Sequence, residues 1–102
     1  MIINFKYTET FLSIIKDQGL DKKLVNTILD RFERHLNPFP ECCGVHVYLQ
    51  EIGVTKYRGY ISPENYTLLY SYENKGNVVT VHAILHQRQD IQKLLFNRII
   101  ER

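Results

Sequence analysis

The sequence has no tryptophan, one methionine and only two cysteines, three prolines and five glycines among its 102 residues. So little proline and glycine excludes a collagen-like or low-complexity chain, and two cysteines cannot form the disulfide framework of a small secreted domain. Cys42 and Cys43 are adjacent, and a bridge between neighbours would strain the intervening peptide. We therefore expect two reduced thiols in a partly buried loop.

Long apolar runs are also missing, since no stretch approaches the roughly 18 residues that cross a bilayer. The first nine residues lack the basic start, apolar run and small-residue cleavage site of a secretory signal. We therefore expect a cytoplasmic protein without a membrane partner.

The chain carries no large excess of charge of either sign, because its net charge is +2 and its pI is about 8.6. This balance is compatible with a nucleic-acid partner but does not require one. Hydrophobic residues make up 44% and charged residues 24%, which is typical of a globular chain. The length fits one domain over residues 1–102 with one modest core.

The N-terminal part predicts one strand and a helical hairpin. A short β-rich segment, residues 1–6, precedes a helix that Thr8 caps and Gly19 ends. Asp21 then begins a longer amphipathic helix, which must end before Pro38. Because the connection between the helices is only about two residues long, we expect them to pack antiparallel.

Three strands are predicted next, over residues 54–61, 66–73 and 78–85, and turn-forming residues separate them. The third strand is apolar on nearly both faces, as expected of a central strand. Strict alternation along it places His82 on the same face as Ile84. The three strands are predicted to form an antiparallel meander.

A final helix is predicted from about residue 90 to the end. Its apolar residues lie on two sides, because Phe96 and Ile100 cannot share a face with Ile91 and Leu95. The second side is either buried in the core or forms a partner surface, such as a homodimer contact. The predicted fold is therefore α+β, β-α-α-β-β-β-α, with an antiparallel sheet, an N-terminal helical hairpin on one face and a C-terminal helix.

The strand region also carries a motif. An arginine in Tyr57-Arg58 precedes a short turn, two tyrosines in Tyr66-Thr-Leu-Leu-Tyr70, and a strand that ends in His86-Gln-Arg88. With the helical pattern before it, this motif resembles the RelE/ParE superfamily of bacterial toxins. The resemblance implies a growth-inhibiting toxin of a toxin–antitoxin module, which a cognate antitoxin protein neutralises.

That superfamily contains two activities. RelE-like toxins cut messenger RNA on the ribosome, whereas ParE-like toxins inhibit DNA gyrase and are not nucleases. In the RelE-like pattern an arginine follows the first tyrosine and a tyrosine follows the last arginine motif. Here Thr67 takes the arginine's place, and no tyrosine follows Tyr72. The resemblance therefore favours the ParE-like branch and an inhibitor that is not an enzyme.

The RelE-like alternative stays open, as does a non-toxic relative that has kept the fold. A ribosome-dependent endoribonuclease needs cations to stabilise the phosphorane and groups that transfer protons. The candidate catalytic residues are Lys56, Arg58, His86 and Arg88. No cofactor or metal is expected, because His82 and His86 are about 13 Å apart on a strand.

A toxin that acts by binding would use an overlapping set of residues around the end of the last strand and the predicted C-terminal helix. The candidate partner contacts are Arg58, His86, Arg88, Asp90, Phe96 and Ile100. Structural alternatives exist for several of them. Arg58 can pair with a carboxylate such as Glu73, and Arg88 and Asp90 can form a local capping pair. His82 fits a satisfied core histidine.

Overall fold

The computed structural model describes residues 3–45, 49–50 and 56–86. Its strands are β1 (Asn4–Tyr7), β2 (Arg58–Ile61), β3 (Thr67–Glu73) and β4 (Val78–Leu85), and its helices are α1 (Glu9–Asp17) and α2 (Lys22–Leu36). The protein therefore has an α+β fold, as predicted. The predicted C-terminal helix lies outside the described residues, together with Arg88, Asp90, Phe96 and Ile100.

The helical hairpin begins and ends where local sequence signals place its boundaries. The hydroxyl of Thr8 accepts a hydrogen bond from the backbone N–H of Phe11 at 3.1 Å and so caps α1. Gly19, with φ of +60°, takes the left-handed conformation that ends the helix. Asp21 precedes α2, whose buried residues are Val25, Ile28, Phe32 and Leu36.

The sheet has the order β1-β4-β3-β2, and the meander of β2, β3 and β4 is antiparallel as predicted. The first strand differs, because β1 pairs with β4 in parallel, from Asn4 opposite Val78 to Tyr7 opposite Val81. Two hairpins bring β4 back to the direction of β2, and β1 runs in that same direction. The sheet is therefore mixed: the predicted antiparallel arrangement is found for β2, β3 and β4, and β1 adds a parallel pair at the edge.

A β-bulge interrupts the pairing of β3 with β4. The pairing passes from Leu69 opposite Ala83 to Tyr70 opposite Val81, so His82 is an extra residue in β4. A bulge of this kind shifts the alternation of the strand beyond it by one residue.

The bulge changes which residues of β4 face the helices. Val79 and Val81 lie in the core before it, and Ile84 lies in the same core after it. Thr80 is only partly buried. Strict alternation, which predicts that His82 and Ile84 share a face, is therefore wrong here, because the extra residue shifts the strand beyond it.

Phe32 of α2 lies at the centre of the core between the hairpin and the sheet. It is fully buried, and the rings of Phe5, Tyr60 and Tyr70 surround it with centroid distances of 5.9, 5.3 and 5.4 Å. The opposite face of the sheet also buries apolar residues, which are Leu69, Ala83 and Leu85. Within the described ranges, no helix is long and apolar enough to span a membrane.

Candidate functional site

Arg58, the first residue of β2, holds down the loop that follows α2. We call residues 37–45 the cysteine loop. The guanidinium of Arg58 donates to the carbonyl of Cys43 at 2.6 Å and to that of Glu41 at 3.3 Å, and lies 3.5 Å from the Glu41 carboxylate. Its side chain is 29% exposed. Arg58 therefore has a carboxylate partner, as its structural role would require, and this partner is Glu41 rather than Glu73.

Further hydrogen bonds fix the cysteine loop against the sheet. The buried hydroxyl of Tyr70 donates to the carbonyl of Pro40 at 3.1 Å. The backbone N–H of Gly59 donates to the carbonyl of Gly44 at 3.1 Å, and Val45 forms an isolated bridge with Arg58. A loop with these contacts presents its side chains in a defined arrangement.

The candidate catalytic residues that the structure describes are distributed over the length of the sheet. Arg58 shares a row with Tyr70, whereas the far end of β2, Ile61, shares a row with Thr67 and Leu85. His86 is the residue after Leu85 and therefore lies one row beyond it. Four rows along a strand correspond to about 13 Å, so Arg58 and His86 are not brought to one centre.

His86 is exposed at the end of β4, where its ring lies against that of Tyr66 with centroids 5.0 Å apart. Lys56 is also exposed, and its Nζ lies 5.2 Å from the centroid of the Tyr57 ring. Both residues are therefore accessible to a partner molecule. Arg88, the fourth candidate, lies outside the described residues.

His82 is a half-buried histidine whose ring has partners within the sheet. Its Nε2 lies 2.8 Å from the hydroxyl oxygen of Ser71, and its ring makes an edge contact with Tyr57 at 5.1 Å. Burial holds the pKa of His82 below its ordinary value, and the nearby ammonium of Lys56 acts in the same direction. The ring is therefore neutral around neutral pH.

The lowered pKa of the half-buried His82 predicts a loss of stability in mild acid. Below about pH 6.5, the ordinary pKa of histidine, the unfolded chain takes up a proton that the folded chain takes up only at lower pH. The free energy of unfolding should therefore decrease as the pH is lowered from about 6.5 to the pKa of His82 in the folded chain. His82→Gln should show a smaller fall in urea unfolding followed across this range. His86→Gln is the control, and identical pH profiles of wild type and His82→Gln would contradict the assignment.

Within the described residues, one group of side chains has the composition and spacing of metal ligands. His35, Cys42 and Cys43 each place a ligand atom within 4.8 Å of the other two. His35 lies in the last turn of α2, and the cysteines lie in the cysteine loop, seven and eight residues further along the chain. Sequence spacing alone did not reveal this group. The cysteines approach His35 only because the chain turns back towards the end of α2 after Pro38 and Pro40.

Comparison with known proteins gives a fold relationship. No family model matches the sequence, and no curated protein is similar to it. Among solved structures, the fold is similar to the solution structure of the conserved hypothetical protein HP0892 from Helicobacter pylori. The two chains are 14% identical, the match covers 88% of this chain and 99% of that chain, and the TM-score is 0.50. At this identity, the likeness establishes a shared fold over most of both chains.

Proposed function

We propose that this protein is the cytoplasmic, growth-inhibiting toxin of a toxin–antitoxin module, that it acts by binding DNA gyrase, and that a cognate antitoxin protein neutralises it. The toxin class is supported by the sequence motif that resembles the RelE/ParE superfamily. The observed order of a strand, a helical hairpin and an antiparallel meander is the one that this resemblance implies.

The position of Arg58 supports binding over RNA cleavage. A nuclease must bring its cations and proton-transfer groups to one phosphate, within hydrogen-bonding distance. The Arg58 guanidinium is already engaged by two carbonyls and a carboxylate of the cysteine loop. His86 lies about four rows further along the sheet. This separation is the observation on which the proposal rests.

The end of the sheet around His86 is the proposed contact surface. Ile61, at the same end of the sheet, is 70% exposed and adds a large apolar side chain to this surface. An exposed apolar residue beside polar groups is typical of a protein interface. The contacts predicted at Arg88, Asp90, Phe96 and Ile100, including a homodimer through the last two, lie outside the described residues and stay predictions.

A supercoiling assay with purified gyrase tests the proposal. The wild-type protein should inhibit supercoiling, and Ile61→Lys should need at least about tenfold more protein for the same inhibition, since a central apolar contact contributes more than about 1.4 kcal/mol. Leu12→Lys is the matched control, because Leu12 is 55% exposed on α1 and should tolerate the change. Unaltered gyrase activity at excess wild-type protein would refute gyrase as the target.

A ribosome-dependent endoribonuclease is the second candidate. The exposed ring of His86, which lies against the partly buried ring of Tyr66, favours it, because unpaired RNA bases stack on aromatic rings. This candidate predicts cleaved messenger RNA in arrested cells, and intact messenger would rule it out. For the antitoxin, a small DNA-binding protein encoded beside this chain should restore growth when it is co-expressed.

A further inference from the structure

We propose that His35, Cys42 and Cys43 form a three-ligand site for a thiophilic divalent cation, with zinc as the ion that fits and a fourth position open to water. Two thiolates and one imidazole are among the ligand sets that zinc takes in proteins, with a fourth position free for water. The three side chains come from two segments, the last turn of α2 and the cysteine loop. The proposal is independent of the toxin function.

The separation of the two sulfur atoms suits a shared ion. The Sγ atoms of Cys42 and Cys43 are 3.6 Å apart. With zinc–sulfur bonds of about 2.3 Å, this separation corresponds to a sulfur–zinc–sulfur angle of about 103°, close to tetrahedral. A disulfide would instead need the sulfurs at about 2.05 Å and would close a strained ring. The observed spacing therefore matches metal ligation better than a bridge.

The imidazole is close enough to complete the set. All three ligand atoms lie within 4.8 Å of one another, and a tetrahedral zinc would need the nitrogen to approach the sulfurs by about 1.3 Å at most. His35 is exposed on the last turn of α2, so its side chain can make this adjustment. Its ring lies 5.6 Å from that of Tyr60, which limits where it can point.

The surroundings of the cysteines hold them in place before any ion binds. Arg58 binds the carbonyl of Cys43 and Tyr70 binds the carbonyl of Pro40, so the loop is fixed on both sides of Cys42. In known metal centres, hydrogen bonds from outer-shell groups orient the ligands in the same way.

Binding should release protons. Desolvation and the neighbouring Cys43 together raise the pKa of the Cys42 thiol to about 11, and Arg58 opposes both effects. A thiol must lose its proton to bind a metal ion, so zinc displaces a proton from each cysteine. Zinc affinity should rise with pH for this reason.

The test is zinc binding by the full, reduced, metal-free chain, measured against a chromophoric chelator. The wild type should bind one zinc per chain, its melting temperature should rise with zinc concentration, and cobalt in place of zinc should give a sulfur-to-cobalt charge-transfer band. Cys42→Ser and Cys43→Ser should lose that band. His35→Gln should weaken binding at least about tenfold, the lower limit for loss of an outer-shell partner.

His86→Gln is the matched control and should keep the stoichiometry and affinity of the wild type. If Cys43→Ser does not fold, Cys42→Ser carries the thiolate test, because that thiol is exposed. Unchanged zinc affinity in His35→Gln would overturn the three-ligand site. A wild type that binds no zinc, or cobalt without a charge-transfer band, would overturn it as well.

Discussion

Replacing Phe32 by alanine should lower the free energy of unfolding by about 3–5 kcal/mol, the range for truncating a large buried aromatic residue. The side chain of Phe32 is completely buried, because the rings of Phe5, Tyr60 and Tyr70 surround it. It joins α2 to β1, β2 and β3. Since the total free energy of unfolding of a domain is about 5–15 kcal/mol, the variant should be partly unfolded at growth temperature.

The measurement is urea unfolding followed by circular dichroism, because the sequence has no tryptophan to report on the core. Phe39→Ala is the matched control. Phe39 lies in the cysteine loop with 61% of its surface exposed, so its removal should change stability by less than about 0.5 kcal/mol. Equal losses in the two variants would contradict the placement of Phe32 at the centre of the core.

The sequence predicted those elements whose boundaries depend on neighbouring residues. Thr8 and Gly19 delimit α1 through local hydrogen bonding and a positive φ, and the prolines after Leu36 stop α2. The turn before β4 also followed from its residues, since Asn77 takes the left-handed conformation with φ of 49°. The bounds of β4 were predicted correctly at both ends.

The features that sequence reasoning missed depend on contacts between distant segments. Nothing within residues 1–6 shows that this strand pairs in parallel with a strand about 70 residues later. The bulge at His82 likewise depends on the register of β3 against β4, and an apolar strand that is buried on both faces gives no alternation from which to detect it.

For the same reason, the sequence identified residues of the candidate site but not their arrangement. Arg58 and His86 were identified from a motif, but their separation along the sheet followed only from the strand register. The sequence allowed Arg58 to pair with a carboxylate such as Glu73 across the sheet, and its observed carboxylate partner is Glu41, in a loop 17 residues earlier. The approach of His35 to the cysteines depends on the path of that loop.

Replacing Arg58 by alanine should lower the free energy of unfolding by about 1–3 kcal/mol. A hydrogen bond to a charged group contributes about 1.5–3 kcal/mol, and the partly exposed ion pair with Glu41 adds about 0–1 kcal/mol at most. Arg58→Lys should lose most of the same stability, because one ammonium cannot hold both carbonyls in the geometry of the guanidinium.

Arg34→Ala is the control for removing a positive charge. Its side chain is 76% exposed and pairs with Asp30 on the surface of α2, so its loss should change stability by less than about 0.5 kcal/mol. Thermal unfolding and growth arrest are measured for all three variants. If Arg58 fixes the cysteine loop, toxicity should fall together with stability and should recover at lower temperature. If Arg58 instead acts on a phosphate, Arg58→Ala would abolish growth arrest with its melting temperature unchanged, and the nuclease would become the favoured function.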